Sequence, residues 1–241
     1  LNNAGGTLAA TGDQALRLSV HGTLDNRARS IGSNGLINLS AQQLLNQQGS
    51  VQAAGTGAST VTVQQTLDNQ RAKILLAGDA TVSAAQLDNR AGTLHAGGNT
   101  LTLSVDGTLD NSAGGLLSTA AALDLDASLL DNQGGGTVVA GSTLDITTAQ
   151  ALNNAGGALQ STGAMTIDAA GLNNQSGSLI GGTVNIETHG HVLNNRNGTL
   201  GSQTGVLDIR SGDLDNTGGR LPTARGEALQ RGGGAPTTPR P

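Results

Sequence analysis

The sequence has no cysteine, phenylalanine, tyrosine or tryptophan, a single methionine and only four prolines in 241 residues. Without cysteine there is no disulfide framework, although the compartment is left open because many secreted proteins lack disulfides. Without aromatics the usual source of large buried areas is missing, and so are the stacking platforms that commonly recognise glycans. Charged residues make up only 12% of the chain and the net charge is −5. That balance offers no basic footprint for nucleic acid, and it is too weak to drive charge-based disorder. No apolar run approaches the ~18–20 residues needed to span a membrane as a helix. The chain starts on Leu1 rather than on a methionine, within a repeat, and reads as a piece of a longer polypeptide.

The sequence does contain 53 leucines, isoleucines and valines and 38 glycines, and both are regularly placed. A Leu-Asx-Asn anchor, with one glutamine variant, begins at Leu1, Leu24, Leu45, Leu67, Leu87, Leu109, Leu130, Leu152, Leu172, Leu193 and Leu214. Successive starts are 20 to 23 residues apart. The third anchor position holds Asn3, Asn26, Gln47, Asn69, Asn89, Asn111, Asn132, Asn154, Asn174, Asn195 and Asn216. Glycine recurs five residues after the leading leucine in most units, as at Gly92, Gly114, Gly135 and Gly198, and an aliphatic follows it. Later in each unit comes an alternating pair such as Ile37/Leu39, Val61/Val63, Leu101/Leu103 or Leu144/Ile146. A period of two marks a strand with one buried face.

A unit of about 21 residues with short strands and no helical period cannot bury its aliphatics alone. Stacking units ~4.8 Å apart aligns each aliphatic position into a continuous lumen and pairs the backbones. The expected fold is therefore all-β, a β-solenoid of ten full repeats and a partial eleventh over residues 1–221. The leading leucines Leu24, Leu67, Leu87, Leu109, Leu130, Leu152, Leu172 and Leu193 anchor the lumen. Asn3, Asn26, Asn69, Asn89, Asn111, Asn132, Asn154, Asn174, Asn195 and Asn216 form a ladder in which each amide donates to the next. Asparagine and glycine are expected to supply left-handed backbone at that corner. The last anchor runs into Pro222 with no alternating strand to complete its unit. Residues 222–241 hold all four prolines, three arginines and a triple glycine, and read as a flexible or partly extended tail or linker. Open strand edges at the ends of such a stack invite end-to-end self-association.

Several residue groups could carry chemistry. Asp124, Asp126 and Asp145 fall on outward positions of adjacent coils, where a cation such as Ca²⁺ could relieve their repulsion; a solvated acidic face is the plainer reading. His189 and His191 would share one side of an extended strand, but two imidazoles lack a third metal ligand. Arg210-Ser-Gly-Asp213 only loosely matches an integrin-type Arg-Gly-Asp, and the turns at Gly97 and Gly78-Asp79 do not keep a nonapeptide calcium spacing. Asn38, Asn174 and Asn197 fit the glycosylation triplet, a frequent coincidence in this composition. No catalytic set, metal or cofactor is expected, and the chain is not read as an enzyme.

The unit Leu-[Asp/Asn]-Asn-x-x-Gly-x-Leu-x-[Ala/Ser]-x-Gly-x-Leu-x-[Leu/Ile], clear in Leu87–Leu103 and Leu152–Ile167, resembles the filamentous haemagglutinin repeat. The likeness extends over residues 1–221. It implies a right-handed parallel β-helix in the shaft of a large exoprotein, exported through an outer-membrane two-partner-secretion transporter to the bacterial surface or medium. Such shafts serve adhesins that meet a host or neighbouring cell through other parts of the molecule, or contact-dependent growth-inhibition proteins that deliver a toxin. The repeat itself carries no catalytic residues.

Overall fold

The computed structural model describes residues 1–224 and 228–230. It is an all-β solenoid of about ten turns in which every strand pairing is parallel and, among the described residues, there is no helix. Each turn contributes one short strand, such as Thr93–Ala96, and one longer strand, such as Thr100–Asp110. The short strands stack into a ten-stranded sheet and the longer ones into a fifteen-stranded sheet.

The alternation in the sequence sets what faces inward. On the short strands the second position enters the lumen, and Ile31, Val51, Ile74, Leu94, Leu117, Val138, Leu159, Leu179 and Leu200 are all fully buried. On the longer strands three inward positions follow one another. Leu101, Leu103 and Val105 pair with Ala80, Val82 and Ala84 of the coil before and with Leu123, Leu125 and Ala127 of the coil after. Val61 and Val63 occupy the second and third of these columns rather than the first two, because Ser59 takes the first. The Ser59 side chain is buried and accepts the Ile37 N–H at 3.2 Å, which satisfies the hydroxyl inside an aliphatic wall.

The third column has a volume pattern that the spacing alone does not show. Val20, Ala41, Val63, Ala84, Val105 and Ala127 succeed one another in register, so each valine after the first has an alanine on either side. Large-small alternation lets side chains interdigitate along the rod. At this column the register slips between Val20 and Thr23, and again between Val63 and Thr66 and between Val105 and Thr108. These bulges bend the long strand toward the corner that carries the anchor leucine. From Thr148 onward the bend becomes a break, with strand Leu144–Thr148 separate from Leu152–Asn153. There Thr148 Oγ1 donates to the Gln150 carbonyl at 2.7 Å, and Thr188 Oγ1 to that of His191 at 2.7 Å, so a buried hydroxyl closes the corner.

Arg220 bridges Thr199 and Thr223 bridges Ser202, so the short-strand position of an eleventh coil is present. Strand Ala228–Gln230 then pairs in parallel with Leu207–Ile209. Parallel pairing draws on backbone groups of the preceding coil, so it needs no long aliphatic alternation to announce it. The rest of the proposed linker, residues 225–227 and 231–241, lies outside the described residues.

Candidate functional site: the amide corner

The most regular polar feature of the molecule is the corner after each anchor leucine. Leu87 and Leu109 pair across adjacent coils at the end of the long strands, and both are buried. The chain then leaves the sheet through Asn89 and Asn111, whose side chains turn inward and are completely buried. Asn3 Nδ2 donates to Asn26 Oδ1 at 2.8 Å, and Asn69 to Asn89, Asn89 to Asn111, Asn111 to Asn132, Asn132 to Asn154, Asn154 to Asn174 and Asn174 to Asn195 each at 2.7 Å. Asn195 donates to Asn216 at 2.7 Å. The same nitrogens reach backbone carbonyls, as Asn111 does to Gly115 at 3.1 Å and to Thr137 at 3.1 Å. Burial of an amide is costly unless its donors and acceptors are met, and here both faces are.

One coil corrects the sequence frame. The buried ladder residue between Asn26 and Asn69 is Asn46, which accepts from Asn26 at 2.7 Å and donates to Asn69 at 2.9 Å. The inward anchor is Leu44, which pairs with Leu24 and Leu67, while Leu45 takes the outward position of Asp25 and Asp68. Gln47 instead lies outside the ladder, where its amide nitrogen donates to the Asp68 carboxylate. Two adjacent leucines made the frame ambiguous, and the preceding residue wins because only Asn46 completes the column.

Backbone handedness also falls elsewhere than expected. Neither the ladder asparagine nor the following glycine has positive φ in most coils; the residue between them does. Ala28, Gln48, Arg71, Ala91, Ala113, Ser176 and Asn197 have φ from 50° to 56°, and Gly5, Gly134, Gly156 and Gly218 take the same position in other coils. The turn is closed by the Gly92 N–H on the Asn89 carbonyl at 2.9 Å, with Ala91 left-handed at its third residue. The recurring glycine serves closeness rather than handedness. A methyl group on Gly92 would stand 2.2 Å from the Asn69 carbonyl and 2.7 Å from Asn89 Oδ1. Arg29 and Ala72 occupy this position in two coils, and there the closing bond lengthens to 3.1 Å. In the coils of Asn111 and Asn132 one extra residue enters the turn, so that Gly115 and Gly136, not Gly114 and Gly135, approach the ladder.

An outer column runs beside the ladder. Asp68, Asp88, Asp110 and Asp131 pair in register and continue as Asn153, Asn173 and Asn194. Each side chain caps its own turn, as Asp88 Oδ1 does by accepting the Arg90 N–H at 3.2 Å. Arg90 spans two coils, 2.6 Å from Asp88 and 3.4 Å from Asp110, and these carboxylates hold its guanidinium more firmly protonated than usual. Burial pushes the Asp68 carboxyl up, with the Asp88 charge adding to the effect against the Gln70 N–H and Arg90. This column was missed in the sequence because it changes from Asp to Asn part-way along; their shared turn-capping chemistry was the signal.

The other candidates are placed as follows. Asp124 and Asp145 do pair across adjacent coils, and Asp126 pairs with Thr147, all three carboxylates exposed. Among the described residues no group of three acidic or histidine side chains is arranged to hold a metal. His189 and His191 do not share a strand face: the strand ends at Glu187, and His189 and Gly190 have φ of 49° and 78°. His189 pairs with Asp168, whose carboxylate raises the imidazole above its ordinary value. Arg210 turns back to Asp208 at 2.7 Å rather than toward Asp213. Asp79 Oδ1 accepts the Asn99 and Thr100 N–H groups at 2.6 and 3.1 Å, an ordinary loop cap. Of the three glycosylation triplets, Asn174 is spent inside the ladder, Asn38 is half-buried on a sheet face and Asn197 is exposed in a turn.

The haemagglutinin-repeat family matches residues 1–28, 15–71, 56–113 and 100–221, which together cover the solenoid. The chain belongs to this family. Among curated proteins and solved structures, no match to the chain was found. Haemagglutinin repeats and their β-solenoid are structural, adhesin-like elements rather than enzymes.

Proposed function

We propose that this chain is a shaft segment of a large, secreted, filamentous-haemagglutinin-like adhesin. The observation that carries the reading is the uninterrupted stack: coil follows coil from Leu1 to Leu221 with the ladder unbroken from Asn3 to Asn216. Binding sites on solenoids commonly sit on insertions between coils, and the largest variations here are one or two residues at a corner. Ten coils at ~4.8 Å give a rod of about 50 Å, enough to displace a distal binding region. Family membership supports export through an outer-membrane two-partner-secretion transporter and a place on the bacterial surface or in the medium, facing a host or neighbouring cell.

The test is removal of two whole coils, residues 89–131, from the parent protein on its producing cell. Adhesion should persist, with the tip brought closer to the surface by about 10 Å. Complete loss of adhesion by a protein still secreted and folded would assign binding to the deleted wall and sink the shaft reading. The second reading, a stalk for contact-dependent toxin delivery, shares this fold and family. It would be favoured if killing of neighbouring cells, rather than attachment, depended on the parent protein.

A further inference from the structure

The two sheets differ in what they turn to solvent. On the longer strands the outward positions include Asp106, Asp124, Asp126, Asp145, Asp168 and Glu187. Each of the ten short strands turns its first and third residues outward, and among these Lys73 is the only lysine, arginine or acid. Ordinary protein surface is well supplied with charge, whereas the centre of an interface is depleted of it. Leu75, Val139 and Ile180 stand instead in the third position of their short strands and Leu116 in the first, all half-buried.

The third-position column has an internal order. In register it runs Leu75, His95, Ser118, Val139, Gln160, Ile180. Reversed and laid on itself, it sets Leu75 against Ile180, His95 against Gln160 and Ser118 against Val139. Apolar side chains meet at the outer pair. The next pair joins two polar groups that the fold leaves unspent. His95 Nδ1 lies 2.9 Å from Ser118 Oγ, which leaves Nε2 over, and the exposed Gln160 amide has no partner among the described residues. A two-fold axis parallel to the strands, between the coils of Ser118 and Val139, performs this reversal and keeps third position over third position. It also gathers Leu116 and Val139 of both copies beside the axis. Each contact then occurs twice, as an isologous interface requires.

Size and charge agree with such a pairing. The eight coils from Gln52 to Gly201, at ~4.8 Å per coil and four residues of ~3.3 Å across, offer roughly 500 Å² per copy and roughly 1,000 Å² in all, the lower bound for a specific interface. The acidic positions of the longer strands face away from the partner, where salt screens what remains of their repulsion. We propose that two copies of this chain pair side by side and antiparallel through their short-strand sheets. Both partners are walls of the solenoid, and neither end of the stack takes part.

The experiment is sedimentation over a concentration series on the full chain, unaltered and as Leu75→Lys, Ile180→Glu and the double variant. Lys73 shows that an outward lysine fits this sheet, and thermal melts check that each variant is folded. The unaltered chain is expected to show a reversible monomer–dimer equilibrium that added salt does not weaken, because no charge pair crosses the contact. Each single substitution should weaken dimerisation at least ~10-fold by burying a charge without a partner. The double variant should recover it, because the reversed register sets each new lysine against a new glutamate. Thr102→Lys, on the other sheet, should leave dimerisation as it is. A chain that stays monomeric throughout the series overturns the proposal, as do polymers beyond the dimer or dissociation by salt. So does a folded single variant that dimerises normally, or a double variant no better than the single ones.

Discussion

Asn111 Nδ2 donates to Asn132 Oδ1 at 2.7 Å, from one coil to the next, with both side chains fully buried. A buried amide in this position is satisfied from below, above and beside. Asn111→Leu would leave Asn132 Oδ1 without its donor, and Asn89 Nδ2 with backbone acceptors only. Losing a buried partner costs about 1–3 kcal/mol, and urea unfolding should show that loss. Asn111→Asp should be worse, because it removes the donors and places a carboxylate where no cation reaches. Equal stability of the two variants would show that the ladder is a packing column and not a hydrogen-bonded one.

Leu109 is the aliphatic counterpart of that amide, buried with no exposed area. Leu109→Ala is expected to destabilise by about 2–5 kcal/mol through lost transfer energy and the cavity left behind. In a solenoid the damage should be local, so exchange protection ought to fall most in the coils on either side and least at the ends.

The alternating column makes a prediction of opposite sense. Ala84 sits between Val63 and Val105. Ala84→Val puts three branched side chains in succession and should cost about 1–3 kcal/mol by overpacking. Thermal melts of this variant would come out unchanged if the lumen had room to spare.

Ala91 carries left-handed backbone with φ of 52°. An L-residue pays about 1–2 kcal/mol there, against roughly 0.5–1 kcal/mol of extra entropy lost by glycine. Ala91→Gly should therefore stabilise the chain by up to about 1 kcal/mol. Gly92→Ala, by contrast, should weaken it modestly by closing on the Asn69 carbonyl, since Ala72 and Arg29 show that a Cβ is accommodated there with the closing bond at 3.1 Å.

Two titrations have defined signs. Asp168 raises the His189 imidazole above its ordinary value, so what the pair contributes is present below the ordinary histidine range and fades as pH rises through the raised value. Its imidazole resonances should titrate above those of an unpaired histidine, and Asp168→Asn should bring them back. Asp68 has the same sign from another cause: its carboxyl is raised by burial, so the folded state holds the proton more tightly and stability falls as pH rises through that value. Asp68→Asn keeps the turn cap used by Asn153 and should raise stability at pH 7, with the gain shrinking on acidification.

The period of the sequence was enough to read the solenoid and the inward leucines, because a coil that repeats its volume requirements must repeat its residues; the division into one short and one longer strand was not read from it. What it hid were features defined by neighbours in space. Leu44 and Leu45 are both leucine, and only the Asn26–Asn46–Asn69 contacts decide between them. The left-handed position tolerates Gln48, Arg71 and Ala91 alike, so no residue type marks it. Glycine drew attention to itself for handedness and is used for close approach. His189 and His191 looked like a pair on a strand, but a two-residue lengthening of that corner relative to Ala169–Leu172 turned the chain before they could align. Strand Ala228–Gln230 borrows its backbone pairing from Leu207–Ile209 and leaves almost no trace of its own in composition.

The turn spelled LDNRAGTL is nearly the same from one coil to the next, and each coil ends where the next begins, at the same face and in the same register. A crossover between two such stretches in the coding sequence would therefore join a leucine to a leucine and an amide to an amide at the corner. The reach of the rod can change by whole rungs in a single recombination event, and through the valine–alanine column from Val20 to Ala127 a change of two rungs keeps the alternation as well.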